Sequence, residues 1–598
     1  MKKWLCSEKL LHIAISLLIP LVTLFVLYSL VPPFFMESDD SEIQDVYRGC
    51  YTGTGYPYNQ FVNVFMGYLQ VALFKIVPGI PWWFVTEIAY AVVGAMCFNY
   101  TMLFYLGSRK ETGSGIVFFP LFCIALFDLL YFSYHVMVVS FTVAPVLLSA
   151  GATSLLFLPR QDYRRSIIRA LLVGFAVFFA FLMRQESGYV AFCFYAVGLF
   201  YCFWGTRFGE KGPVQLLADR IKSFGLCMAV VFGCIFIAAV ASGYIIDAHN
   251  SVEFKNFNAA RVRFMDYPHI EYDDNPDFFL DKGWTREEYK LVENICFFDP
   301  RVTEDFFLEV THAAPSETNN PQYIEEDSEL VLLEAPDAGA PFSARFLYAI
   351  KKIILALIAW VDSYERVFKF FALLSIFVPV FVYAKRRRLF DADVLASLMA
   401  VIGMGILLFY LHYTGRPIMR AVIICIIPEF CICCVLLAKN CRKIQAAWGK
   451  KLSAVAAAFL LAFSGFAPFF ALMQQNGTKI VMDDVKSFMS YAKQSPDNVY
   501  VCSSFHSVMP FEGVPGNTLF WGGCIWKSGL HEKHLAMMGL DKADFHIFER
   551  ENVYFVTYRK DLLEWLYKIL SEKYGCKGYG LKYITDGHLK IAVYDFEY

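Results

Sequence analysis

Long apolar runs, each able to cross a lipid bilayer, constrain this chain more than any other feature of its sequence. A transmembrane helix needs about 20 predominantly apolar residues. The chain is 57% hydrophobic and 18% charged, which leaves too little polar side chain to cover a water-soluble globule of this length. We therefore expect an α-helical polytopic membrane protein with about 11 transmembrane helices. The runs are Leu10–Val31, Pro81–Leu106, Gly115–Phe132, Val136–Leu158, Ile167–Met183, Gly188–Trp204, Phe224–Ile246, Phe368–Tyr383, Val394–Tyr413, Ile418–Ala438 and Ser453–Met473.

The basic residues between these runs predict the orientation of the chain. Short cytoplasmic connections carry an excess of Lys and Arg, and the clusters at 109–110, 160–165, 207–222, 385–388 and 439–451 all fall on one side if the N-terminus is cytoplasmic. The run Phe61–Val77 must then lie along the outer surface, since counting it as a span would invert every later loop.

The same topology predicts four parts. Residues 1–246 form an N-terminal membrane module with an acidic first outer loop (32–60) and a surface helix (61–78). Residues 247–345 form an extracytoplasmic loop domain, residues 346–473 the C-terminal membrane helices, and residues 474–598 an extracytoplasmic domain. Strand-like VYVCSS (499–504) and VYFVTY (553–558) alternate with helical patterns there, which predicts a small α/β domain.

Charge and cysteine usage exclude two classes of function. The formal net charge is −2, so no global basic field would recruit nucleic acid. The 17 cysteines lie mostly inside apolar runs, where they act as small apolar residues, and no pair of CxxC motifs has zinc-site spacing.

The stretch PPFFMESDDSEIQDVYRGCYTGTGYPYN (32–59) carries the first candidate site. It places acidic residues directly after the first apolar run, where carboxylates near hydrocarbon are costly and call for a function. We interpret Asp39 and Asp40 as a general base for an acceptor hydroxyl, with or without a role in holding Mg²⁺ or Mn²⁺. The alternative is a solvated acidic cap. Tyr56 and Tyr58 are candidate sugar-stacking rings, or else part of an aromatic belt.

Two other predicted outer turns carry charges. In FLMRQESGY, Arg184 would bind a donor phosphate and Glu186 an acceptor, or the two form a local ion pair. In FYLHYTGRPIMR, Arg416 and Arg420 are four residues apart, a spacing that offers two guanidinium groups to a phosphate. His412 and Tyr413 beside them are candidate substrate-binding residues. The alternative is that these arginines anchor the turn at the lipid headgroups.

These residues carry a resemblance. A first span followed at once by an acidic pair (Ser38–Asp40), a surface-lying helix, many spans and a C-terminal outer domain resembles the GT-C superfamily of integral-membrane glycosyltransferases. The MRQESG and GRPIMR turns are similar to features of uncharacterised bacterial members. The WWDYG-type acceptor motif of oligosaccharyltransferases is absent, so peptide glycosylation is not supported.

The resemblance implies an inverting transfer from a polyprenyl-phosphate sugar to a glycan, lipid or protein acceptor on the outer face of a cell membrane, with a bacterial source favoured. Asp39 or Asp40 would deprotonate the acceptor, and Arg416, Arg420 and Arg184 would stabilise the leaving lipid phosphate. Two alternatives stay open: a polymerase that uses a lipid-pyrophosphate glycan, and a transporter or flippase of lipid-linked sugars. A transporter would place charges near mid-bilayer, whereas here they crowd the ends of the spans.

Overall fold

The computed structural model describes residues 2–36, 38–107, 118–159, 162–205, 213–266, 269–313, 346–347, 351, 375–413, 418–440, 482–503, 510–585, 587 and 589–598. Within these ranges the protein is mostly helical. The helices up to residue 440 are α1 (Lys2–Leu30), α2 (Ser38–Arg48), α3 (Val64–Ile76), α4 (Trp82–Gly107), α5 (Phe118–Phe127), α6 (Ser133–Met137), α7 (Ala144–Ser154), α8 (Tyr163–Met183), α9 (Gln185–Gly205), α10 (Pro213–His249), α11 (Val252–Asp266), α12 (Pro276–Leu280), α13 (Arg286–Glu293), α14 (Glu304–Ala313), α15 (Val378–Arg386), α16 (Ala392–Tyr413) and α17 (Met419–Asn440).

Eight helical stretches in the described ranges are long and apolar enough to cross a membrane. They coincide with eight of the predicted runs, so a multi-pass membrane protein is confirmed, while the count of 11 is not. The predicted span at 453–473 lies outside the described residues, and that at 368–383 is described only from residue 375. The eight are Lys9–Leu30, Trp82–Leu106, Phe119–Met137, Tyr163–Met183, Gln185–Trp204, Val214–His249, Ala392–Tyr413 and Met419–Asn440.

The predicted span Val136–Leu158 is wrong. Val138–Val139 form a short strand, β2, that pairs in parallel with Phe34–Phe35, the strand β1 that follows α1. The chain becomes helical again only at α7, which with one 3₁₀ turn ends at Phe157 and rises only about 21 Å. Other helices surround this segment, so its non-helical backbone is shielded from lipid, the one setting in which such backbone is tolerated at membrane depth.

The helices of the bundle end in two layers, one basic and one acidic. Lys439 at the end of α17 donates to Asp393 at the start of α16 (Nζ to Oδ1 2.5 Å) and to Tyr201 near the end of α9. Tyr105, near the end of α4, lines a cavity with the same residues, so we call this the basic end. The start of α4 contacts α2 through Trp83, which places the acidic helix at the opposite, acidic end. Which end is cytoplasmic stays a prediction.

Helix α3 occupies the segment predicted to lie along the surface. The Asn63 side chain caps it by accepting from the Phe65 amide (3.2 Å) and also donates to the Ala238 carbonyl of α10 (3.1 Å). One side of α3 is thereby fixed to the bundle. The other side leaves Phe65, Leu69 and Ile76 exposed, as expected for a helix whose apolar face contacts lipid.

The polar segments pack together at the acidic end. Helices α11 to α14 share one hydrophobic core with a five-stranded mixed sheet of order β4-β3-β5-β7-β6, in which β3, β4 and β5 are parallel. The Phe297 amide donates to the Trp521 carbonyl (2.8 Å), and the Phe298 ring stacks on Trp526 with centroids 5.5 Å apart. The domain boundaries stay a prediction. The remaining elements are a helix over residues 482–494 (α18), β3 (Val499–Cys502), β4 (Thr518–Phe520), α19 (Gly529–Met537), β5 (Val553–Thr557), α20 (Lys560–Tyr574), β6 (Gly578–Tyr583) and β7 (Ala592–Glu597).

We predict that Gly151→Ala destabilises the bundle. A Cβ at Gly151 would lie 2.0 Å from the Gly94 carbonyl oxygen, so α4 and α7 would have to separate, at a cost of about 1–3 kcal/mol. The apparent Tm in detergent micelles should fall by several degrees. The matched control is Gly233→Ala in α10, whose added Cβ meets no described atom within 4 Å. Equal melting temperatures for the two variants would contradict the close α4–α7 contact.

Candidate functional site

The acidic stretch folds as helix α2 within the predicted outer loop. Asp39 and Asp40 lie in its first turn and Arg48 in its last, an order that the helix dipole favours. Asp40 is 0% exposed, and Glu42 and Asp45 are also buried, whereas Asp39 is half-buried. A solvated acidic cap therefore does not describe this helix.

The Asp40 carboxyl is oriented by two donors from different parts of the chain. Its Oδ1 accepts from the Phe141 amide (3.1 Å) and from the Trp83 indole Nε1 (3.4 Å). Its Oδ2 has no hydrogen-bond partner among the described residues. The side chain of Glu87, one turn after Trp83 on α4, lies beside it within reach of a shared proton.

Burial sets the acidity of Asp40. Loss of water raises its pKa to about 7, and the neighbouring Glu87 side chain and the donors Phe141 and Trp83 limit the rise. A general base works best when its pKa lies near the working pH. Asp40 therefore has the acidity and the fixed geometry of a base, with Oδ1 held by two donors and Oδ2 without a hydrogen-bond partner among the described residues.

Arg184 contacts the ring of Phe141, the residue whose amide donates to Asp40. Its guanidinium carbon lies 4.7 Å from the centroid of the Phe141 ring and 5.6 Å from that of Phe61. It also pairs with Glu186 (Nε to Oε2 2.8 Å), whose side chain is 66% exposed. Phe141 thus contacts Asp40 with its amide and Arg184 with its ring. The ion pair that the sequence left open is present, yet an exposed partner holds Arg184 only weakly.

Tyr56 and Tyr58 contact each other and the end of α10. Their ring centroids lie 4.9 Å apart, edge to face. Tyr56 donates to Asn250 Oδ1 (3.4 Å), and Tyr58 stacks on His249 with centroids 3.8 Å apart. One face of Tyr58 is therefore covered by protein, and sugar stacking by these rings stays a prediction.

The remaining candidates lie on other helices at the acidic end. His412 and Tyr413 are in the last turn of α16, where Tyr413 stacks on Phe409 (centroids 5.7 Å apart), and Arg420 is in the first turn of α17. Arg416 lies outside the described residues. A phosphate clamp of Arg416 and Arg420 stays a prediction.

The other two buried acids of α2 join it to the polar segments. Asp45 accepts from the Cys50 thiol (3.4 Å) and from the Val514 amide (3.4 Å). Glu42 lies beside Cys524. Burial raises the pKa of the Glu42 and Asp45 carboxyls to about 7. Asp45 and Glu42 therefore connect α2 to the C-terminal polar segments, whereas Asp40 contacts α4.

The geometry does not favour one metal ion held by both Asp39 and Asp40. Neighbouring helical residues project about 100° apart, and Oδ1 of Asp40 already accepts two hydrogen bonds. In the parts of the chain that the structure describes, no three His, Cys, Asp or Glu side chains form a group that could hold a metal. A Mg²⁺ or Mn²⁺ ion here stays a prediction.

Three residues of this site were not among the predicted ones. Phe141 acts through its backbone amide, which no side-chain pattern marks, and Trp83 donates from an indole N–H that lies inside an apolar run. Glu87 did carry a signal, because it is one of the few ionisable residues inside a predicted span, and such residues are expensive and commonly functional.

Comparison with known proteins gives little beyond this. No family model matches the chain, and no curated protein matches it. Among solved structures, the chain is similar to a crystal structure of ArnT from Cupriavidus metallidurans in the apo state, with 11% identity, a TM-score of 0.36 and 97% of each chain covered. A likeness this distant assigns no reaction.

We predict that folding stability falls as pH rises through about 7. The raised pKa values of Asp40, Glu42 and Asp45 mean that the folded chain binds more protons than the unfolded chain between about pH 4 and about pH 7. The stability present at low pH is therefore lost across that window. Asp45→Asn should flatten the dependence of Tm on pH, and the exposed-site control Asp541→Asn should not. Parallel curves for the two variants would show that Asp45 does not titrate near neutrality.

Proposed function

We propose that this protein is an inverting glycosyltransferase of the GT-C type. It would move a sugar from a polyprenyl-phosphate donor to an acceptor hydroxyl at the acidic end of the bundle, on the extracytoplasmic face. The observation that carries the proposal is the Asp40 carboxyl, oriented on one oxygen and with its pKa near 7, which shares Phe141 with the Arg184 guanidinium. Together these groups match a base and a phosphate ligand.

Asp40 supplies the base. Its Oδ2 would take the proton of the acceptor hydroxyl as the acceptor oxygen bonds to the anomeric carbon of the sugar. The bond from that carbon to the phosphate oxygen breaks, and its electron pair leaves with the polyprenyl phosphate. Two adjacent buried carboxyls are most stable with one proton between them, so Glu87 would hold that proton before the reaction and leave Asp40 ionised to accept the second one from the acceptor. Because Asp40 is enclosed by protein, neighbouring side chains must move before the acceptor can reach it.

Arg184 supplies a ligand for the leaving phosphate. A guanidinium offers a forked pair of donors to phosphate oxygens, and the contact of Arg184 with the Phe141 ring helps to position it. Glu186 is largely exposed, so exchanging this carboxylate for a dianionic phosphate costs little. Arg420, in the first turn of α17, would add positive charge at the same end of the bundle, and Arg416, four residues earlier in the sequence, is proposed to act with it.

A donor attached to a lipid fits the surroundings of this site. Eight apolar stretches in the described ranges are able to cross the bilayer, and the start of α4, which carries Trp83 and Glu87, brings one of them directly to Asp40. A polyprenyl chain would stay in the hydrocarbon while its phosphate reaches the acidic end. The sugar and the acceptor, whether glycan, lipid or protein, are not specified by these contacts.

We predict that Asp40→Asn abolishes most transfer. Reconstituted protein would be given a panel of labelled polyprenyl-phosphate sugars, and sugar release would fall by about 10²-fold or more in the variant, the usual contribution of a positioned base. The rate in the parent protein should rise with pH through about 7, as Asp40 loses its proton. Asp39→Asn, at the half-buried neighbour, is the matched control and should lose far less.

Two results would overturn this assignment. A larger loss with Asp39→Asn would make that residue the base. Movement of the intact lipid across the bilayer without cleavage of the sugar–phosphate bond would replace the transferase with a transporter. Adding a chelator to the same assay tests the predicted Mg²⁺ or Mn²⁺.

We predict that Arg184 and Glu186 act on different substrates. Arg184→Gln should raise the KM for the lipid donor about tenfold, because a charge-assisted pair to phosphate is lost. Glu186→Gln should raise the KM for the acceptor and leave that for the donor unchanged. If the two variants change the same constant, the residues act only as an ion pair.

A further inference from the structure

An apolar cavity opens between α4, α7 and α8, away from the acidic helix. It has a volume of about 500 Å³, within the range of small-molecule sites. Its walls are almost entirely apolar and include Cys97, Ala152 and Val173.

The mouth of the cavity faces the bilayer. Leu172 is 67% exposed and Ile168 is also exposed, and both line it. They belong to α8, one of the stretches able to cross a membrane. A ligand would therefore enter from the hydrocarbon and not from water.

Two arginines close the cavity at the basic end. Arg165 and Arg169 both line it, and four residues apart on α8 they share one face. The Nη2 of Arg169 contacts the Cys202 thiol (3.6 Å), but its Nε and Nη1 are buried and have no hydrogen-bond partner among the described residues. A buried charged donor left unpaired is costly, so this guanidinium requires an anion.

The two acids that line a cavity together with Arg169 are already engaged. Arg169 also lines the polar cavity of about 310 Å³ that contains Asp391 and Asp393. Asp393 accepts from Arg386, from Lys439 (2.5 Å) and from Asn440 (3.1 Å), and Asp391 lies 3.8 Å from Arg386. The positive charge of the two arginines on α8 is therefore not neutralised by these aspartates.

We propose that this cavity binds one anionic glycerophospholipid of the surrounding bilayer. Arg165 and Arg169 hold its phosphate, and an acyl chain fills the apolar walls. The site lies at the end of the bundle opposite Asp40, so it is separate from the proposed transfer reaction and does not depend on it. Charge complementarity at the arginines and the opening toward lipid together select this occupant.

Native mass spectrometry of the full chain, purified in detergent, tests the proposal. Phosphatidylglycerol and phosphatidylcholine with identical acyl chains would be titrated separately, and we expect phosphatidylglycerol to be retained at least tenfold better. Arg169→Gln should remove most of that preference. The control Arg164→Gln, an exposed neighbour that does not line the cavity, should keep it.

A second variant keeps the test decisive if Arg169→Gln does not fold. Ala176→Leu fills part of the cavity and leaves both arginines in place, so it should lower retention of both lipids. Equal retention of the two lipids by the parent protein would overturn the proposal, as would unchanged retention in Arg169→Gln. Polyprenyl phosphate retained tenfold better than phosphatidylglycerol would show that the occupant is the carrier lipid and not a bilayer phospholipid.

Discussion

The hydrogen bond from the Phe141 amide to Asp40 is the contact on which the candidate site depends. A helical residue at position 141 would have given its amide to the carbonyl four residues earlier. The chain leaves the helix at Val138 instead, pairs with Phe34–Phe35, and so frees the amide for the carboxylate. The same short non-helical segment directs the Phe141 ring toward Arg184. This single interruption of an apolar run therefore orients the Asp40 carboxyl and also positions the Arg184 guanidinium.

The buried acids also explain why the polar segments sit where they do. Gln44, one turn after Asp40, donates to the Pro510 carbonyl (2.6 Å), and Asp45 receives the Val514 amide. These contacts cross more than four hundred residues of sequence and bring the C-terminal segments down onto α2. Water is excluded from the helix as a result, and the exclusion raises the pKa of its carboxyls. The acidity of Asp40 is thus a property of the whole assembly and not of α2 alone.

Most of the membrane architecture was predictable, because apolar length is a direct physical requirement of a bilayer. The exception is Val136–Leu158. Its composition suits a membrane-spanning helix as well as the strand and short helix that it forms, and its pairing with Phe34–Phe35 after α1 distinguishes these two structures. The site was predictable in part: polar side chains beside spans marked Asp39, Asp40, Arg184 and Glu186. Sequence could not distinguish Asp39 from Asp40, since two adjacent aspartates differ only in what the fold places around them. The donors Trp83 and Phe141 lie 43 and 101 residues from Asp40 in the sequence, and no local pattern predicts such partners.

The buried helix α7 has a consequence for the order in which this protein assembles. At about 21 Å, with strand β2 before it, the segment is too short to be inserted into a bilayer as an independent helix. It contacts α4, α8, α9 and α17, and α17 is made nearly three hundred residues later. Residues 138–157 must therefore wait in an incomplete environment during synthesis and reach their final place only after α17 has been inserted. The Phe141 amide, and with it the orientation of Asp40, would then be among the last features of the molecule to form.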